Sequence, residues 1–245
     1  MLKAATLLVL TLAALSAPHS SYAGTEVANL SAVSKKEGYC LAKLIDANDC
    51  FEAQLDYPVF WHAALDQNVR AWAKRFFAQE VTDLERGCAE ITVNPERRWK
   101  FAATPQVFSA HGAISIKFDI YYDTGGAHPN HAVRTLTLDT EGKALGYEDL
   151  FLKTEGLWKF LSKYAKAALH PTLKEYWHND PSLVQHGLAP KAKTFQYFVV
   201  TPYGLTLIFP RYQVAPHVAG EQHCDVPLKA LERFSPKPGI WDKGE

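Results

Sequence analysis

The order of apolar and polar positions divides the chain into helical and extended stretches. Leu65, Val69, Trp72 and Phe76 recur at spacings of four, three and four, and Phe77, Val81 and Leu84 continue the stripe one position over. Arg70, Lys74, Arg75 and Glu80 lie largely off it. A repeat near 3.6 turns one face toward a core, so this stretch is read as an amphipathic helix. From Trp99 the period changes to two. Ile114, Ile116, Phe118, Ile120 and Tyr122 alternate with Ser115, Lys117, Asp119, Tyr121 and Asp123, the pattern of a half-buried strand. Residues 102–109 are its expected partner, across a turn at Ala110-His111-Gly112. After Tyr122 the chain turns through Asp123-Thr124-Gly125-Gly126-Ala127-His128-Pro129-Asn130-His131. It runs extended again from Val133 to Leu138, and Asp139-Thr140-Glu141-Gly142 closes a further turn.

A second helix is expected from Leu157, Leu161, Tyr164, Ala165 and Ala168, with Pro171 as its limit. The stretch from His178 to Lys193, with Pro181, Gly187 and Pro190, reads as mostly loop. Phe195 to Val200 and Gly204 to Phe209 read as a hairpin. Cys224 to Pro227 reads as a short strand, and Leu228 to Phe234 as a last helical turn. Upstream, residues 51–60 form a strand-like run broken by Pro58. The tail from Ser235 carries two prolines and is expected to be loose. Helix, strands, helix, strands is the order of an α+β fold, with a mainly antiparallel sheet and two or three packed helices.

The start of the chain bears on compartment. Lys3 precedes an apolar run from Ala4 to Leu15, then Pro18 and the small-residue site Ser21-Tyr22-Ala23. That is the order of a secretory signal cleaved near Ala23, and the run is shorter than the roughly 20 residues that a membrane span needs. The mature protein is expected to be periplasmic or secreted, with no transmembrane anchor. Removing residues 1–23 takes away Lys3 and no acidic residue, leaving 25 basic against 26 acidic side chains. Such a balance argues against nucleic acid as a partner. The four cysteines Cys40, Cys50, Cys88 and Cys224 read as disulfides in an exported chain, since their spacing is not that of a zinc site. Cys40–Cys50 and Cys88–Cys224 are the favoured pairings, with a free Cys88 as the competing reading.

Two segments resemble a known family. Residues 121–131, leading into Leu136-Thr137-Leu138-Asp139 and then Glu148-Asp149-Leu150-Phe151-Leu152, are similar to the C-terminal extracellular domain of the lysozyme-sensing anti-sigma factor RsiV. The same domain type accompanies the catalytic part of the peptidoglycan deacetylase PdaC. The late segment, Tyr203-Gly204-Leu205 with Phe209 and Tyr212-Gln213-Val214-Ala215-Pro216-His217-Val218-Ala219-Gly220, also looks like the family's, although an aromatic often stands where His217 does. The resemblance covers roughly residues 100–235. It divides the chain into a signal (1–23), a polar leader (24–38), a helix-containing subdomain (39–99), the RsiV-like domain (100–235) and a tail (236–245). Neither the sigma-factor-binding half of RsiV nor a Thr-Phe-Asp-Asp-Gly-Pro-like catalytic segment is present.

The candidate binding residues are Tyr122, Gly125, Gly126, Ala127, His128, Pro129 and His131. Two glycines permit positive φ, and Pro129 stiffens the exit. Competing readings are a structural turn with His128 bonded to a backbone carbonyl, and a metal site using Asp123, His128 and His131, for which no third strong ligand stands at a characteristic spacing. No Gly-x-Ser-x-Gly elbow and no phosphate-cradling loop occurs. Glu148-Asp149 reads as a capping pair, and Arg97-Arg98 as a solvated patch. No catalytic residue and no cofactor is assigned. The expected function is a non-catalytic envelope binding or sensing protein. Its partner would be a lysozyme-like muramidase or a peptidoglycan fragment, and an envelope polysaccharide hydrolase is the alternative.

Overall fold

The computed structural model describes residues 31–34, 38–90 and 97–241; the expected export signal and most of the expected leader lie outside the described residues. The larger sheet runs in chain order: β1 (Ser31–Ser34), β2 (Tyr39–Ala47), β3 (Phe51–Val59), β4 (Trp99–Ser109), β5 (Ala113–Asp123) and β6 (Asn130–Asp139). All neighbours are antiparallel except β3 and β4. A parallel pair needs a crossover, and the helix α1 (Ala63–Glu90) supplies it. The short α2 (Tyr147–Leu150) and the long α3 (Leu157–Asn179) follow, then α4 (Pro181–Gly187). A second antiparallel sheet contains β7 (Phe198–Thr201), β8 (Gly204–Phe209) and β9 (Gln222–Pro227), and α5 (Leu228–Leu231) comes after it. The fold is α+β, as the element order predicts.

Each sheet has its own core. On one face of the larger sheet, Leu65, Val69, Ala73, Phe77 and Leu84 of α1 are buried against Phe51, Leu55, Phe101, Ile116, Phe118 and Ile120. Trp72 and Phe76 flank this stripe, with the Trp72 ring stacked on Phe118 at 4.7 Å between centroids. Around the second sheet, Leu157, Leu161, Ala165, Leu169 and Leu173 of α3 pack with Leu205, Leu207, Phe209 and Val226.

Several expectations need correction. The stretch 41–49, which a Cys40–Cys50 bridge would close into a local loop, lies mostly in the strand Tyr39–Ala47, with Cys40, Ala42 and Leu44 buried on one face. Cys40 lies opposite Val59, at the far end of the hairpin from Cys50, about 25 Å away at 3.3 Å per residue. The disulfide is Cys50–Cys88, with Cα atoms 6.3 Å apart, and it ties the end of α1 to the start of β3. Cys40 and Cys224 are free and buried in different parts of the fold, so the Cys88–Cys224 pairing is also excluded. Burial pushes the Cys224 thiol up to about 12, which keeps it protonated and unreactive. Pro58 does not break β3. It falls beyond the last pair with β4, Leu55↔Ala103, where β3 has a neighbour on one side only, a place that tolerates proline.

Pro171 does not end α3 either. Leu173 and Trp177 beyond it are buried, and the Trp177 Nε1–H donates to the Val214 carbonyl at 2.8 Å, so tertiary packing carries the helix through. Part of the stretch expected as loop is α4. Its start is marked by Asp180, whose side chain accepts from the Ser182 N–H, and by Pro181 in the first turn. The expected loose tail is docked as far as Trp241: the Gly112 N–H donates to the Ile240 carbonyl, and the Trp241 Nε1–H to the Thr201 carbonyl.

The alternation along β5 also has a different outcome. Ser115 and Lys117, on the polar side of a strand expected to be half-buried, are 0% and 4% exposed. The face opposite α1 is partly covered by β7. The Val200 N–H donates to Ser115 Oγ at 2.9 Å, and Ser115 Oγ lies 2.9 Å from Thr137 Oγ1. Val133, Val199 and Ile208 seal the same junction.

Candidate binding rim and cleft

The Gly-Gly-Ala-His-Pro bend joins β5 to β6 at one end of the larger sheet. The Asp123 carboxylate accepts from the Gly125 N–H at 3.1 Å, and Gly125 takes φ +78°, a conformation that favours glycine. Gly126 does not use that freedom. Thr124 to His128 are all exposed, so the bend stands in solvent. The His128 Nδ1–H donates to the Pro129 carbonyl at 3.1 Å, the backbone bond considered from the sequence.

The bend meets the late segment in space. The His128 ring stacks on His217, with centroids 4.7 Å apart and planes at 30°. His217 Nε2 accepts from the Arg211 guanidinium at 3.0 Å, since guanidinium can only donate. The Tyr212 ring lies 5.3 Å from His217, and the His131 ring sits edge-on to Tyr121 at 5.6 Å. Partial burial and then the Arg211 charge lower the His217 pKa below its usual 6.5, with His128 and His131 adding to the effect. The same two leading causes lower His131, with Asp119 opposing them. Both shifts favour the neutral imidazole over the imidazolium.

One expected residue is set apart. Tyr122 lies on the α1 face of β5, packed against Phe101, with its hydroxyl donating to Glu80 at 2.9 Å. Burial first, then the charge of Glu80, pushes the phenol pKa well up. Its neighbour Tyr121 is the tyrosine on the rim side. Gly125, Gly126, Ala127, His128 and Pro129 instead share a cleft of about 500 Å³ with Glu52, Arg97, Arg98, Lys100 and Asp123. Here Arg98 is ion-paired to Glu52. A smaller cleft of about 110 Å³, between the rim and the second sheet, is lined by Asp119, His131, Arg211 and Glu221. Beside it Lys117 pairs with Asp119, and with Glu221 at 2.8 Å. Burial favours neutral Lys117, but hydrogen bonds to both carboxylates outweigh it and hold its pKa above 10.5. Burial likewise favours protonated Glu221, but bonds from His223 and Lys117 hold its pKa below 4.5.

Among the described residues no three His, Cys, Asp or Glu side chains gather as a metal site. Glu52 and Asp123 share the larger cleft, yet each already engages a fixed partner, Arg98 and the Gly125 N–H. Asp149 caps α2 by accepting from the Gly146 N–H at 3.0 Å and also binds Lys143, as expected of a capping pair. These bonds, the backbone one first, lower its pKa.

Residues 148–229 match the family model described as "Protein of unknown function (DUF3298)". The matched span contains the late segment and begins after the bend, which precedes it in the chain. The peptidoglycan-N-acetylmuramic acid deacetylase PdaC of Bacillus subtilis (strain 168) is 27% identical over 197 residues, covering 78% of this chain and 40% of that protein. This chain thus spans well under half of that relative. A DUF3298 family protein from Pseudomonas aeruginosa PAO1 has a similar fold, with a TM-score of 0.57 at 20% identity over 84% of this chain and 96% of that one. Another, from Bacteroides fragilis NCTC 9343, gives 0.52 at 16% identity over 82% and 94%. A disulfide, no described helix long and apolar enough to cross a membrane, and similarity to an envelope enzyme fit an extracytoplasmic location.

Sequence reasoning missed Arg211, Tyr121, Glu52 and Lys100 as members of this region. Glu52 and Lys100 become neighbours through the parallel pairing of β3 and β4, where Glu52 lies opposite Lys100. No short motif encodes that register.

Proposed function

We propose that this chain is an exported, non-catalytic envelope protein that binds peptidoglycan through the rim and the cleft beside it. The observation that carries the reading is the convergence of the two resembling segments: the bend and the late segment, far apart in sequence, stack His128 on His217 beside an open polar cleft. An exposed loop fixed on a rigid sheet is where recognition usually sits. PdaC's name ties that relative to peptidoglycan, and the resemblance to the RsiV extracellular domain points to the same compartment.

A second reading, a lysozyme-like muramidase as partner, draws on different residues. Tyr212 and Val218 of the late segment are 58% and 82% exposed beside Arg211. Tyrosine and arginine are common anchors in protein interfaces. Two assays separate the readings: co-sedimentation of the purified protein with cell-wall sacculi, and its effect on the lytic rate of purified lysozyme. Co-sedimentation that the His217→Ala change weakens, with lysis unaffected, supports the first reading. No co-sedimentation with inhibition of lysis replaces it with the second. A hydrolase would release soluble sugar from sacculi, and that outcome would overturn both.

A further inference from the structure

We propose that the part of the larger sheet left open by the second sheet is a groove for a carboxylate-bearing glycan strand; this rests on the peptidoglycan reading and names where the polymer lies. The register of the strands sets out the face row by row. Ile45, Gln54, Ala102, Tyr121 and His131 are cross-strand neighbours from β2 to β6, and Ala47, Glu52, Lys100 and Asp123 form the next row. Cross-strand partners share a face, so both rows stand on the side opposite α1. Toward the other end of β5 that side is covered by β7 over Ser115, but these two rows are not. They open into a cleft of about 410 Å³ that contains Ile45, Gln54, Ala102 and Tyr121. It shares Glu52 and Lys100 with the cleft of about 500 Å³ beside the bend, so the two form one continuous depression.

The chemistry of the depression selects its occupant. From β2 to β5 it crosses three strand spacings, about 14 Å, and suits an extended polymer better than a single small molecule. Ala47 and Ala102 keep the floor low, and Tyr121 offers an apolar body with a polar tip at the wall. Near the bend Arg97, Arg98 and Lys100 face Glu52 and Asp123, a surplus of one positive charge, and Asp46 stands at the other end of the depression. Arg98 is paired with Glu52, whereas Arg97 and Lys100 have no ion pair among the described residues. Arg97 and Lys100 beside a largely apolar floor complement carboxylates spaced along a chain of sugar rings, with the cationic end of the depression at the bend. Nucleic acid is disfavoured by a formal net charge of zero over the whole chain. The depression lies on a sheet face rather than an edge, so a peptide could not add to it as a further strand.

The test uses the whole exported protein with three probes: purified sacculi, soluble muramic-acid-containing glycan fragments, and neutral chito-oligosaccharides of equal length. Ala102→Trp fills the floor, and its fold is checked by circular dichroism and thermal melting. Lys100→Glu reverses an exposed charge and leaves the core untouched. We expect Ala102→Trp to weaken fragment binding at least tenfold. Lys100→Glu should weaken the acidic fragments several-fold more than the neutral ones. Backbone amide shifts in the wild type on adding fragment should centre on Lys100, Ala102 and Tyr121. If the wild type binds sacculi and both variants bind equally well, the groove is wrong and the peptidoglycan reading survives. If the wild type binds neither sacculi nor fragments, both fall.

Discussion

The two faces of the larger sheet solve the same packing problem with opposite chemistry. Toward α1 the face is apolar and aromatic: Phe101, Ile116, Phe118 and Ile120 are all within 1% of full burial, and Trp72 stacks on Phe118. Toward the second sheet the same strands present Ser115, Lys117, Asp119 and Thr137. Three of these, Ser115, Lys117 and Thr137, are buried as completely as many core residues. The first face is held by area removed from water, which is tolerant of geometry. The second is held by a chain of paired groups, each costly to leave unpaired. A strand can therefore be buried on both sides while its sequence alternates as though one side were wet. Where β7 stops covering the polar side, the same residue types become the floor and rim of a cleft.

The contrast breaks most visibly on the apolar face. Phe118→Ala should cost about 4 kcal/mol, the sum of lost burial and a cavity beneath Trp72 that the sheet cannot close. Urea denaturation followed by tryptophan fluorescence reads it directly. A loss below about 1 kcal/mol would mean that α1 is not locked to the sheet as the stacking indicates.

On the polar face the second test is Lys117→Ala, expected to cost about 3 kcal/mol because Glu221 and Asp119 lose their buried cation. The double change Lys117→Met with Glu221→Gln should recover much of it. The apolar face offers no such rescue. Its pH dependence is specific too. Lys117 has its pKa raised in the folded protein, so its contribution is complete below 10.5 and lost as pH rises through the folded value. Glu221 has its pKa lowered, so its contribution is complete above 4.5 and lost as pH falls through the folded value. The wild type should therefore lose part of its stability at both extremes, and the Lys117→Met, Glu221→Gln protein should show a flatter profile across the same range.

Ser115→Ala is a milder version, about 1–2 kcal/mol, since it leaves the Val200 N–H and the Thr137 hydroxyl each short of one bond. If it proved neutral, the seam between the sheets would rest on Val133, Val199 and Ile208 alone.

How much of this the sequence reveals depends on which face one asks about. The α1 stripe and the Ile114–Tyr122 alternation are visible because apolar periodicity reports directly on burial. The hairpin of β7 and β8 is visible for the same reason, marked by its Thr-Pro-Tyr-Gly turn. The polar seam is not, because Ser115 and Lys117 look the same in sequence whether they meet water or a second sheet 85 residues away in the chain. Pro58, Pro171 and Pro181 mislead in three ways: an edge position, a helix carried by packing, and a helix start. The bend is legible as a stiff exposed turn from its glycines and proline. That His217 would lie under His128 is not, since only the docking of the second sheet sets that distance.

The smallest expected effect lies at the rim, where the polar face reaches solvent. In the folded protein, partial burial and then the Arg211 charge disfavour the imidazolium of His217, with His128 and His131 adding to the effect. The unfolded chain lacks that penalty, so as pH falls below 6.5 it takes up the proton more readily than the native state, and the rim loosens. His217 should titrate below 6.5 in an NMR titration of its ring resonances, and Arg211→Met should move its midpoint upward. Arg211 also donates to His217 Nε2, the nitrogen that must accept the new proton, so protonation breaks that bond and brings two cations together. Protection of the amides in residues 124–131 and 211–219, measured relative to the intrinsic exchange rate at each pH, should accordingly fall between pH 7 and pH 5, while residues of the α1 face stay protected. A His217 midpoint at or above 6.5, unmoved by Arg211→Met, would mean that the two segments do not sit together in solution, and the rim would lose its standing as one site.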